Sequence, residues 1–343
     1  MSPRTRILAA AILLALMAGL GCSHKQEETP SPQAGTEQSP AVMKALRHAQ
    51  LRAQRRPRDL AAQLQAGQLS YDSGQYNAAY RAYRQAAEAD PKNFEAMVGL
   101  ARTNLKLLSP TQGLDWVGRA RRIKPNDRDL VELEARLNLL AGRIDPALAG
   151  FKRATELGPS LASTWLNLAS THGIVREYPQ AVAAAQQAVR VTPTSATAHF
   201  ALGHFLDRNG DKAGAEAEYR RALQLDAKDA APMVALARLL VGQNRGLTEA
   251  RTLAIKASQL QADRADAAII AAWVLHLQGE DRKAGDELIK IVNSMPQTPE
   301  AWDKLAVVLR RLGKTPEADR AERTGREFRP ATRSTELELL DAQ

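Results

Sequence analysis

The stretch LAAQLQAGQLSYDSGQYNAAYRAYRQAAEADPKN, residues 60–93, decides the fold, because the chain keeps restating it. Gly74 stands where a first helix ends, and Pro91 stops a second one. Pro91, Pro125, Pro159 and Pro193 follow one another at steps of 34 residues, and Pro57 lies one step earlier. The next step lands on Ala227, one extra residue gives Ala262, and the register resumes at Pro296 and Pro330. Eight units of 34 plus the extra residue run 60–332, which is 273 of the 343 residues.

Within that period two columns hold only Ala and Gly. The eighth place reads Gly67, Ala101, Ala135, Ala169, Gly203, Ala237, Ala272 and Ala306. The twentieth reads Ala79, Gly113, Ala147, Ala181, Ala215, Ala250, Ala284 and Ala318. Two antiparallel helices approach closely only where the crossing point carries no bulky side chain, so these columns predict paired helices. The twenty-seventh place is nearly as strict, from Ala86 to Ala257, then Ile291 and Gly325. Trp165 and Trp302 at the fourth place, and Tyr83, Phe151 and Tyr219 at the twenty-fourth, fill the holes left between. Gly74, Gly142, Gly210, Gly279 and Gly313 recur at the end of the first helix.

Period and pattern together resemble the tetratricopeptide repeat. The resemblance implies an all-α fold, a right-handed superhelical α-solenoid of about eight helix–turn–helix repeats. Gln63 and His199 stand where that family usually has Trp, and Glu134 and Glu322 where it has apolar residues. The extra residue falls in the Gly242–Gly246 turn, where an insertion is tolerated. Residues 41–59 read as a capping helix or half-repeat, and 333–343 as a short closing helix and tail around Glu336–Leu340. Such ends shield apolar faces that a stacked array otherwise exposes.

The first residues bear on the compartment. Arg4 and Arg6 precede an uncharged stretch of 14 residues, Ile7–Leu20, short of the roughly 20 that span a bilayer but apt for a secretory signal. It ends at Gly19-Leu20-Gly21-Cys22, which resembles the lipobox of bacterial lipoproteins, although the family prefers Leu three residues before the cysteine. The resemblance implies removal of residues 1–21, acylation of Cys22 and, with Ser23 following, an outer-membrane lipoprotein facing the periplasm. Residues 22–40, rich in Pro, Gln and Glu, bury too little apolar surface to fold and read as a disordered tether.

Composition excludes several classes of function. The one cysteine allows no disulfide framework and no cysteine-based zinc site. Aromatics at 4% argue against stacking platforms for single-stranded nucleic acid. The net charge is +9, or +7 once the leader is removed, which leaves 45 basic residues against 38 acidic. Export would take that charge away from nucleic acid, so none is expected as a partner. No phosphate loop, metal-binding H-E-x-x-H helix or G-x-S-x-G elbow is present in the sequence. His24 and His48 read as solvated and His172 and His199 as packing residues; His204 and His276 fall on the inner face without an obvious carboxylate partner. No enzyme, metal or cofactor is expected.

A surface remains. In the resembled family the groove is lined by the second, fifth, ninth and twelfth places of each first helix. The fifth-place row is Leu64, Val98, Glu132, Leu166, Phe200, Val234, Ile269 and Asp303. The ninth-place row is Gln68, Arg102, Arg136, Ser170, His204, Arg238, Trp273 and Val307, and Asn167 at a sixth place offers hydrogen bonds to a peptide backbone. An apolar row beside a basic one suits an extended protein segment with alternating apolar and acidic side chains. Leu64 stands where a carboxylate clamp would place lysine, so that clamp is not expected. The expected function is a scaffold that binds a protein or peptide partner and supports an envelope assembly. Similar lipoproteins serve outer-membrane protein insertion, pilus and secretion, or polysaccharide export. A regulatory subunit of an exported enzyme and a self-associating solenoid stand as alternatives, and the oligomeric state stays open.

Overall fold

The computed structural model describes residues 39–261 and 264–329. The leader, Cys22, most of the tether, Ala262, Pro330 and the closing helix read at Glu336–Leu340 lie outside the described residues. The described chain forms seventeen α-helices and no strand, in two compact units divided after Asn209.

Unit one opens with α1 (Pro40–Arg55), which buries Leu46, Ala49 and Ala53 and packs on α2. Four helix pairs follow: α2 (Leu60–Asp72) with α3 (Tyr76–Ala89), α4 (Phe94–Lys106) with α5 (Pro110–Arg121), α6 (Arg128–Leu140) with α7 (Ile144–Leu157), and α8 (Ala162–Ile174) with α9 (Tyr178–Val191). Helix α10 (Ala196–Arg208) ends the unit. Unit two holds α11 (Lys212–Leu225), then α12 (Ala230–Gly242) with α13 (Leu247–Leu260), α14 (Ala265–Leu277) with α15 (Asp281–Ser294), and α16 (Pro299–Arg311) with α17 (Thr315–Glu327). Inside each unit a helix packs on its sequence neighbours, and the first helices of successive pairs also touch.

The turns explain why the period holds. Asp59, Asn93, Asp127, Ser195 and Asp229 end their units, and each side chain accepts a backbone N–H from the first turn of the next helix. The fifteenth place is left-handed in all eight repeats: φ is +72° to +95° at the five glycines, +54° at Leu108, +62° at Arg176 and +49° at Asn244. The next residue's N–H reaches back to the carbonyl at place eleven, as in Gln75 to Ser70 at 2.8 Å and Glu280 to Leu275 at 2.8 Å. The extra residue is taken up by a second left-handed residue, Gly246 (φ +56°), directly before α13.

The small columns lie where the helices cross. A Cβ on Gly67 would stand 2.8 Å from the Tyr83 ring, and one on Gly113 would stand 2.6 Å from Leu137. Every alanine of the twentieth-place column is fully buried. The fourth place donates to the carbonyl of the proline six residues earlier: Trp165 to Pro159 at 2.9 Å and Trp302 to Pro296 at 2.8 Å. Gln63 and His199 supply the same bond with Nε2, to Pro57 at 3.4 Å and Pro193 at 3.0 Å, so both departures keep the donor that the indole would provide. Glu134 and Glu322 pair with Arg121 and Arg310 at the surface. No helix among the described residues is long and apolar enough to cross a membrane.

Candidate functional site

The first helices present places five, nine and thirteen at successive turns of one face. In unit one this face carries Leu64 and Val98, both half-buried, then Arg102 and Lys106 one turn apart on α4 and Arg136 on α6. Arg102 and Lys106 are exposed and Arg136 is half-exposed. Among the described residues none of the three makes an ion pair; Arg102 lies over the Tyr71 ring at 4.9 Å. Lys106 is exposed along its length, but partial desolvation of its ammonium pushes it below the usual lysine range, and Arg136 and Arg102 push it further. Three cations therefore repel one another without an ion pair among the described residues, although Asp72 and Glu132 stand on the same face at places thirteen and five. Lys106 is not among the groove residues expected from the sequence, although its position four residues after Arg102 on the same helix was a usable signal.

Other expected groove residues are committed within the molecule. Asn167 donates to Glu132 at 3.2 Å, and Glu132 also takes Thr164 at 2.7 Å and Arg128 at 3.2 Å. Leu166 is half-buried beside it in sequence. Phe200 is 5% exposed, Val234 3% and Ile269 1%, which places these three in the core: the expectation of an apolar pocket at each is corrected, because neighbouring helices close over the fifth place there. His204 is half-buried, with its ring 5.3 Å from that of Phe205; burial and Arg208 depress its pKa, which favours the neutral imidazole at pH 7.

Unit two presents a different chemistry at the same places. Arg238 is exposed but pairs with Asp266 at 3.8 Å, so it is not a third member of a free basic row. Trp273 is half-buried, with Lys304 3.8 Å above its ring and His276 against it at 4.5 Å. His276 pairs through Nδ1 with Asp281, which also takes Arg311 at 3.6 Å. The expectation that His276 lacks a carboxylate partner is thereby corrected; Asp281 opens the next helix, five residues on. Among the described residues no group of three His, Cys, Asp or Glu side chains is placed to hold a metal ion. His172 pairs with Glu177 at 2.7 Å.

Comparisons with known proteins agree on the repeat. Residues 70–137 and residues 166–230 each match a family model described as tetratricopeptide repeat. A tetratricopeptide repeat protein from Parabacteroides merdae superposes with a TM-score of 0.58 at 13% identity, covering 72% of this chain and 97% of its own. The C-terminal part of a repeat-containing protein from Cytophaga hutchinsonii gives 0.57 at 14%, over 71% and 99%. The pilF protein of Pseudomonas aeruginosa gives 0.53 at 17%, over 62% and 95%. Identities this low establish the fold alone. No curated protein sequence matches the chain. Residues 70–137 and 166–230 thus match tetratricopeptide repeats, and the architecture is the helix-pair array that the 34-residue period implied.

Proposed function

We propose that the protein is an exported, lipid-anchored tetratricopeptide-repeat scaffold without catalytic activity of its own. It holds a protein or peptide partner in its groove and supports an envelope assembly: outer-membrane protein insertion, pilus or secretion machinery, or polysaccharide export. The observation that carries the binding surface is the group Arg102, Lys106 and Arg136, three cations on adjacent first helices, none of which makes an ion pair among the described residues. Side chains held together against mutual repulsion fit a carboxylate-bearing ligand, which relieves the repulsion when it binds. Half-buried Leu64 and Val98 on the same face suit apolar side chains of such an extended acidic segment. Gly21-Cys22 directly after the 14-residue apolar stretch supports the anchor.

The test is capture from envelope extract by the full chain and by the combined Arg102→Gln, Lys106→Gln and Arg136→Gln variant. The wild type should retain a partner that the variant loses, or releases at much lower salt, because exposed charge contacts are screened over about 8 Å at physiological ionic strength. The variant's melting temperature should match or exceed that of the wild type. Equal capture by both would remove the binding surface from this face.

A further inference from the structure

At the places where unit one carries Arg102, Lys106 and Arg136, repeats seven and eight carry Trp273, Leu277 and Val307. Leu277 is 37% exposed and Val307 43%, beside the half-buried Trp273. Cations rim this apolar face. Lys304 sits over the Trp273 ring one turn before Val307, and Arg311, which pairs with Asp281 at 3.6 Å, lies one turn beyond it on α16. The last described residue, Arg329, pairs with Asp303. Asp303 precedes Lys304 directly and lies one helical turn, about 6 Å, from Val307. The chain therefore leaves the described structure at the edge of this face.

The segment beyond Arg329 has matching chemistry. Residues 336–341 read Glu-Leu-Glu-Leu-Leu-Asp, three leucines interleaved with three carboxylates. Leu337 lies eight Cα steps beyond Arg329, a reach of up to about 27 Å. Tethering places such a segment at millimolar effective concentration over a surface within reach, so modest contacts suffice to keep it there.

We propose that residues 336–341 occupy the Trp273–Leu277–Val307 face of their own molecule. Leu337 and Leu339 cover the apolar residues, and the acidic side chains meet Lys304 and Arg311. The segment is a built-in ligand that an incoming partner must displace from unit two. This goes beyond the binding surface proposed in unit one, because both site and occupant differ.

The probe is a fluorescent peptide of residues 332–343, titrated into the full chain and into a full-length Leu337→Ser, Leu339→Ser, Leu340→Ser variant. The peptide should bind the variant at least tenfold more tightly than the wild type, whose face is already filled. Adding Val307→Glu, or separately Lys304→Glu, to that variant should abolish binding, with the melt of each confirming that it folds. Equal binding to wild type and variant, or binding to neither, overturns the proposal. So does binding that survives both added substitutions. Loss of binding through Arg102, Lys106 and Arg136 instead would move the segment to unit one, overturning this inference while leaving the unit-one surface standing. A wild type that dimerises with concentration through these leucines would put the segment on a second copy, which also overturns it.

Discussion

Leu108 shows how strictly the repeat imposes backbone conformation on single residues. It is 60% exposed with φ +54°, at the place where five other repeats have glycine. A left-handed backbone costs a non-glycine residue about 1–2 kcal/mol, and glycine gives back part of that gain through its freer unfolded chain. Leu108→Gly should therefore stabilise the protein by about 0.5–1 kcal/mol, visible as a rise in denaturant midpoint with unchanged slope. A fall in midpoint would show that Leu108 has packing that its exposure conceals. Arg176 (φ +62°) occupies the same place, whereas Asn244 (φ +49°) tolerates it better through local hydrogen bonding. The five glycines were legible in the sequence. The other three residues were not, because nothing in Leu or Arg announces a positive φ; the shared turn imposes it.

At the scale of elements, the pairing of α11 with α13 and the lengthened turn before α13 depends on ionised side chains. Glu216 on α11 accepts from Arg245 in that turn and from Arg220, and Arg220 also reaches both oxygens of Glu249 on α13, at 2.6 and 3.0 Å. The hydrogen bond from Arg245 is the largest cause holding the Glu216 carboxyl below the ordinary glutamate range, against the opposing effect of burial. A pKa depressed in the folded state gives stability that is present above the ordinary value of 4.5 and is lost as pH falls through the folded value. Glu216→Gln should thus destabilise unit two by about 0.5–2 kcal/mol at pH 7, below the roughly 1.5–3 kcal/mol of a desolvated hydrogen bond to a charged group because Arg220 and Arg245 are half-exposed. Thermal melts from pH 7 to pH 3 should show the gap to wild type closing as the pH drops. A gap that stays constant with pH would assign the loss to packing. The extra residue that created this turn was visible as a break in the 34-residue count, but the arginine that secures it was not, since its partner lies 29 residues away.

For the whole molecule, the array was legible and its chemistry only partly so, for one physical reason. A helix crossing excludes side chains whatever the rest of the sequence does, so Ala and Gly columns such as Ala79 to Ala318 survive as a readable pattern. Whether a fifth-place side chain faces solvent depends on which neighbours close over it: Leu64 stays half-exposed while Ile269 is buried. Whether an arginine is free depends on a partner in another repeat, as Asp266 decides for Arg238 but no residue does for Arg102. The same asymmetry governs the proposed anchor, which rests on Cys22 being the single cysteine of 343 residues and following a short apolar leader. If acyl chains on Cys22 hold the body, each buried methylene contributes about 0.8 kcal/mol, and more than one chain is needed for stable attachment. Cys22→Ser removes the acceptor and touches none of the described helices. The variant should therefore move from the detergent-extracted membrane fraction to the soluble fraction with an unchanged melt and an intact Arg102–Lys106–Arg136 surface. Retention in the membrane fraction, with the apolar leader still attached by mass, would make Ile7–Leu20 the anchor instead and leave Cys22 without a role.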